Sequence, residues 1–425
     1  MKKKIMEEKG KLKKEEKKEI VFLSKNYINI NYKRILTILF CGIILSFSII
    51  IYNKYFKQKY KYDYLIVGSG LYGSTFNFLA KQRGKKTLVL EKNNFTGGYL
   101  HCENIEGIYV HKYGPHIFHT NNKTIWDFVN NLVEFIPYIT QPVAKVKNKM
   151  YSLPYNMWTF QELWNITKPE EAKEKIEKQR YKKIIYHLAH QAKSLIGEDI
   201  FNKFIRSDIR KKWGREAEDL PPFIIKDIPK RFVYDNNYFF EDKYQGIPVG
   251  CYNSLIDKLL NDTEVITGVD FLQNREKYEN LAEKIIYTGK IDEYYNYTYT
   301  PLDYRSYSYL NKILNTSNYQ GAAIIKCPEM KRPHLRVIEY KHFEPYNKTL
   351  QDLKKTVISY EFNEPWNELK EPMFPINDER SNNIYLKYEE LAEKEEKIIF
   401  AGRLGKYKYY SMQDTIKEVF DIFGM

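Results

Sequence analysis

Residues 113–120 read Tyr-Gly-Pro-His-Ile-Phe-His-Thr, which puts His116 and His119 three apart beside a glycine–proline turn. Such a pair could clamp a metal, move a proton or wall a cofactor pocket. No Cys, Asp or Glu stands nearby at a metal-ligand spacing, so a metal centre is not expected. Upstream, Gly68, Gly70 and Gly73 form GxGxxG, and Glu91 follows 18 residues after Gly73. Glycines at those positions permit a tight turn, close approach of backbone to a pyrophosphate, and tight helix–strand packing. The acid falls within reach of a ribose hydroxyl.

These residues need particular elements around them. An apolar run, 65–67, leads into the glycines, "STFNFLAKQRG" follows with helical spacing, and "KTLVLEK" makes a second buried strand ending at Glu91. That strand–turn–helix–strand order is the context a dinucleotide requires, with the helix N-terminus facing the phosphates. A further pair, Gly97–Gly98, gives backbone clearance beyond the ribose acid. Residues 156–246 are helical in pattern, whereas 299–378 carry short aromatic and β-branched runs broken by Pro, Gly and Asn, as antiparallel strands do.

Charge and hydropathy concern the N-terminal flank. Of the net +14, residues 1–34 contribute +7 and residues 53–62 contribute +4. Between them, "ILTILFCGIILSFSIIIY" (35–52) runs eighteen positions without a charge. At about 1.5 Å per residue it nearly crosses a hydrocarbon core of roughly 30 Å, so a single-pass membrane anchor is expected and nucleic acid is not. The more basic side precedes the run and favours a cytoplasmic N-terminus, a vote that Lys54, Lys57, Lys59 and Lys61 weaken. The four cysteines, Cys41, Cys102, Cys251 and Cys327, form no CxxC, so neither a zinc site nor a disulfide framework is expected. Aromatics make up 16% of the chain and include 38 tyrosines. That supply suits a pocket for flat rings and hydroxyl-rich ligands, and equally an AT-rich genome.

The ordered motifs "GSGLYG", "LEKNNFTGGY", "HKYGPHIFHTNNKTIWDFVN", "SLPYNMWTF", "DNNYF", "YQGIPVGCY", "YRS" and "AGRLGKYKYYSM" resemble the UDP-galactopyranose mutase family from about Tyr62 to the C-terminus. The resemblance implies an α/β fold: an FAD-binding Rossmann-like domain (62–134, 247–298 and 379–425) interrupted by an antiparallel sheet domain (135–154 and 299–378) and a helical substrate domain (155–246). Residues 1–34 and 35–52 would precede it as basic tail and transmembrane helix. It implies an isomerase that interconverts UDP-galactopyranose and UDP-galactofuranose for galactofuranose-containing glycans. FAD, active in the reduced form, would bond through N5 to the sugar while UDP departs, and a homodimer is compatible with the pattern.

Carried over residue by residue, the resemblance puts FAD against Gly68, Gly70, Gly73, Glu91, Gly97, Gly98, His116, His119 and Arg403. His116 and His119 would be wall and hydrogen-bonding residues of the isoalloxazine pocket. Arg305 would meet the diphosphate, Arg336 would be another active-site arginine, and both would act with His119 in catalysis; Phe204 and Trp213 would hold the uridine, and Tyr238 and Tyr409 would lie near the phosphates. Four positions depart from the family pattern. Asp227 in "IIKDIPKRF" stands where a mobile-loop arginine belongs, and Asp208 in "SDIRKKWG" replaces a tyrosine of the uracil pocket. Phe374 replaces a tyrosine and Ser411 an aspartate. At about 5 Å and an effective dielectric near 20, reversing one charge swings the interaction by roughly 6 kcal/mol. The alternative reading is therefore a UDP-sugar-binding homologue with weakened or absent catalysis.

Overall fold

The computed structural model describes residue 10 and residues 13–19, 40–48 and 60–425. Residues 1–61 and 62–425 form separate units. In the first, 13–19 and 40–48 are helical. The structure corrects the membrane-spanning helix expected over 35–52, and the membrane localisation with it. The nine placed residues of that run cover roughly 13 Å at about 1.5 Å each, under half a hydrocarbon core. Among the described residues no helix is long and apolar enough to cross a membrane. The rest of the run lies outside the described residues.

Within 62–425, the apolar strands Tyr62–Val67 and Thr87–Leu90 are buried because they lie inside a parallel sheet. Its spatial order is Glu264–Ile266, Thr87–Leu90, Tyr62–Val67, Ala282–Tyr287, Ile398–Phe400, every pair parallel. In chain order this is 3-2-1-4-5, the doubly wound pattern. Its crevice opens at the carboxyl ends of the strands Tyr62–Val67 and Ala282–Tyr287, where the order reverses. The helices Leu71–Gln82, Cys251–Leu259 and Met412–Ile422 pack beside the sheet through Phe76, Leu255 and Phe420.

A seven-stranded sheet runs Phe374–Pro375, Tyr304–Leu314, Thr356–Pro365, Arg336–Glu339, Ile324–Lys326, Val143–Val146, Lys149–Ser152. Its long central pair is antiparallel, with Arg305 opposite Pro365 and Tyr309 opposite Glu361. A helical layer with its own core around Phe160, Phe201 and Phe204 covers Met157–Trp213. The helical pattern over 169–196 breaks into Pro169–Gln179 and Leu188–Ile196, because the His187 imidazole accepts from His190 N–H and caps a new helix.

Cys102 and Cys251 form a disulfide across 149 positions, which corrects the expectation of no disulfide. The two are brought together by the docking of helix Cys251–Leu259 on strand Cys102–Ile105, where Asn253 exchanges two hydrogen bonds with the Cys102 backbone. No spacing rule records such a contact. His111 lies against the pair, its nitrogen and both sulfurs within 4.8 Å of one another.

Candidate active site

A cavity of about 840 Å³ opens at the sheet's switch point, at the upper end of the range for ligand sites. Gly68, Gly70, Glu91, Gly97, Gly98, His116 and Arg403 all line it, together with Tyr72, Tyr99, Thr288 and Trp366. The glycine turn leaves no room for side chains on its inner faces. A Cβ on Gly73 would sit 2.0 Å from the Gly68 carbonyl oxygen, and one on Gly68 would sit 2.2 Å from Thr288 Oγ1. At Gly70 a Cβ would meet nothing within 4 Å, because that position borders the cavity. Glu91 Oε2 accepts from Ser69 N–H and Oγ–H at 2.9 and 2.7 Å, and Oε1 accepts from Asn93 N–H at 2.9 Å. The carboxylate therefore shapes the turn as well as facing the cavity. The residues present fit a dinucleotide: a helix N-terminus behind glycines, backbone at Gly70 open to the cavity, and an acid at the end of the second strand.

The histidine turn splits its two members. His116 lines the cavity, and its N–H donates to His111 Nδ1 at 3.1 Å. Burial, then the nearby Arg403 and Arg336 guanidiniums, push the His116 imidazole down to about 4, so it stays neutral at physiological pH. His119 lies outside the cavity lining. Its Nδ1 meets Asp242 at 2.6 Å and its ring stacks on Phe239 at 3.6 Å, because strand Phe118–Thr120 pairs with Tyr244–Pro248 and alternates its side chains.

Burial, then His116, push His111 down to about 3. Its folded value lies below the ordinary 6.5, so below that pH the unfolded chain binds a proton that the folded chain refuses. Stability must then fall as pH drops through 6.5 and go on falling toward 3. By about pH 5 this one group should cost about 2 kcal/mol relative to about pH 7.5, and His111→Gln should flatten the slope by that amount. Urea unfolding at the two pH values measures it; equal slopes for the two proteins would contradict it.

The arginines stand on one face of the seven-stranded sheet. Arg305, Tyr307 and Tyr309 alternate along Tyr304–Leu314 and so share a face. Arg305 is only 7% accessible, donates to the Asn363 side-chain oxygen, and leaves its Nε–H without a partner. Among the described residues it has no carboxylate partner, and burial lowers its pKa. Arg336 pairs with Glu361 at 2.6 Å. The histidine turn joins this face to the cavity: a Cβ on Gly114 would lie 2.5 Å from Tyr309 Oη and 3.3 Å from Glu361 Oε2. Arg403 spans the other side, donating to the Met373 and Tyr410 carbonyls and lying 4.8 Å from the Tyr409 ring.

The remaining sequence candidates lie apart from the cavity lining. Phe204 lies in a π-helical turn, Phe201–Ile205, against Tyr151 at 4.9 Å and Tyr155 at 5.5 Å, and Trp213 packs on the same cluster. Tyr238 sits 5.3 Å below Lys326 Nζ, and Asp208 pairs with Lys212 at 2.8 Å. Phe374 lies tilted against Tyr307 at 5.5 Å and edge-on to Tyr409 at 6.5 Å. Ser411, where the family pattern has aspartate, caps helix Met412–Ile422 in a reciprocal box with Asp414, a duty serine and aspartate perform equally well. Asp227 is exposed, with no ion-pair partner among the described residues. Sequence reasoning missed Tyr307, Asn363, Glu361, Lys212 and Lys326. The period-two alternation from Arg305 would have found Tyr307.

Residues 203–409 match the family described as UDP-galactopyranose mutase, and residues 66–132 match the NAD(P)-binding Rossmann-like domain. The chain is 34% identical over 367 residues to a dTDP-fucopyranose mutase of Escherichia coli, covering 84% of this chain and 96% of that protein. It is 32% identical over 362 residues to a probable UDP-galactopyranose mutase of Klebsiella pneumoniae, covering 83% of this chain and 92% of that one. The crystal structure of a reduced UDP-galactopyranose mutase shares the fold, with a TM-score of 0.64 at 13% identity over 85% of this chain and 96% of that chain. Identity of that order across nearly the whole length of both relatives, on a fold whose switch-point cavity accepts a dinucleotide, makes this chain an FAD-binding sugar mutase, an isomerase that belongs to the UDP-galactopyranose mutase family.

Proposed function

We propose that the enzyme interconverts UDP-galactopyranose and UDP-galactofuranose, supplying the furanose form for glycan synthesis. The observation that carries this reading is Arg305: a guanidinium with little solvent, an orphaned Nε–H and, among the described residues, no carboxylate partner. Such a group is costly until an anion arrives, and a departing diphosphate is such an anion. Bound and reduced, FAD supplies the nucleophile. Arg305 and Arg336 hold the diphosphate as its charge grows, and Tyr238 and Tyr409 present hydroxyls to it. Phe204 and Trp213 provide flat apolar surface for the pyrimidine, while neutral His116 walls the cavity without adding charge. Incubating dithionite-reduced, FAD-loaded enzyme with UDP-galactofuranose should give UDP-galactopyranose by chromatography. Turnover no faster than free reduced flavin would end the proposal. A parallel dTDP-fucofuranose arm addresses the second reading, which the 34% identity to a dTDP-fucopyranose mutase motivates.

The inactive-homologue reading rests mainly on Asp227. Since that carboxylate is exposed, solvent and salt screen it and its sign is worth about 1 kcal/mol or less. Asp227→Arg should therefore change kcat/KM less than about fivefold. A rise of two powers of ten in the same assay would restore the weakened-enzyme reading.

A further inference from the structure

Lys326 and Arg336 are directly opposite each other on antiparallel strands, as are Arg336 and Glu361. Directly opposed side chains share a sheet face, so Lys326, Arg336 and Glu361 form one row pointing the same way. Like charges in such positions are destabilising, and Glu361 answers only Arg336, at 2.6 Å. Among the described residues Lys326 makes no close ion pair; the Asp208 carboxylate, held chiefly by Lys212, acts on it from further off, and its ammonium lies over the Tyr238 ring.

A second cation comes from the helix Arg206–Trp213. Lys211 ties this helix to the sheet by donating to the Cys327 and His334 carbonyls. The next residue, Lys212, has 40% of its side chain accessible and pairs one helical turn back with Asp208 at 2.8 Å. Lys326 and then Lys212 hold the Tyr238 phenol below its ordinary pKa, and Lys212 also acts on Tyr307, so the two ammonium groups bear on one small volume. Phe204, Asp208 and Lys212 recur at four-residue intervals, from aromatic box to acid to cation.

We propose that Lys212 and Lys326 bind the diphosphate of the nucleotide sugar together with the two arginines, Asp208 holding Lys212 in position before substrate enters. This deepens the nucleotide-sugar reading above and rests on it. Of the four cations, Asp208 and Glu361 match two; the two left over equal the two negative charges of a sugar-linked diphosphate. Both lysines sit on a fixed helix and a fixed strand, so this charge is in place without movement of the exposed segment that bears Asp227. Each ammonium is a point charge suited to one phosphate oxygen, and the planar guanidiniums supply the fork.

The test compares UDP with uridine by calorimetry on FAD-loaded Lys212→Gln and Lys326→Gln. Each variant should lose about tenfold or more in UDP affinity, as expected for a charge-assisted hydrogen bond, and keep uridine affinity within about twofold. The fall of UDP affinity with added salt should be shallower than in the wild type. Lys212→Arg, which keeps the charge, should bind UDP within about threefold of wild type. Unchanged UDP affinity in both Gln variants, or a parallel loss of uridine, would overturn the inference while leaving the mutase reading intact. Failure of the wild-type protein to bind UDP would overturn that reading, and this inference with it.

Discussion

Arg305→Ala should lower kcat/KM for the UDP-linked sugar by two to three powers of ten, roughly 3–4 kcal/mol of transition-state stabilisation. Buried Arg305 leaves its Nε–H without a partner and donates to the Asn363 side-chain oxygen. The partner it lacks carries most charge when UDP is leaving, so kcat should fall more than KM rises. Arg305→Lys should recover only part, since an ammonium cannot reproduce the two-pronged contact. The folded protein also holds this guanidinium against its desolvation, which lowers its pKa. Arg305→Met should therefore leave thermal stability unchanged or raise it. Progress curves and melts on the same preparations check both statements. A loss of activity accompanied by a matching loss of stability would refute the charge argument.

Two glycine substitutions should separate folding from cofactor binding. Gly73→Val puts a branched side chain where even a Cβ meets the Gly68 carbonyl oxygen at 2.0 Å and Ile66 Cγ2 at 3.0 Å. The turn must shift, and with it the N–H groups behind the phosphates, so the protein should purify colourless and unfold at lower urea. Gly70→Ala differs in kind. Gly70 has φ of −67°, which alanine adopts freely, and its Cβ would meet no protein atom within 4 Å. The apoprotein should fold normally, yet FAD affinity should drop at least tenfold because the methyl occupies space the cofactor approaches. Flavin absorbance after reconstitution, set beside urea midpoints, distinguishes the two. Full FAD content in Gly73→Val would refute the cradle as described.

Sequence and structure divide according to the range over which a feature is determined. The glycine cradle was legible because its parts lie within thirty contiguous residues, and strand, turn and helix each follow from local pattern. Arg305, Arg336 and His116 were legible only through motif order, since an isolated arginine or histidine says nothing of its surroundings. The neighbours that give those arginines their chemistry were not legible: Glu361 and Lys326 reach Arg336 only through strand register, which sequence spacing does not encode.

The sequence alone thus determined the dinucleotide turn with its flanking strands and helix, through periodicity and backbone sterics that act over short spans. Tertiary structure decided the Cys102–Cys251 bond across 149 residues and the turning of His119 toward Asp242. It also decided which cations go without an acid. Each of these depends on contacts between distant segments, whose geometry exists only once sheet, helices and turns have packed together.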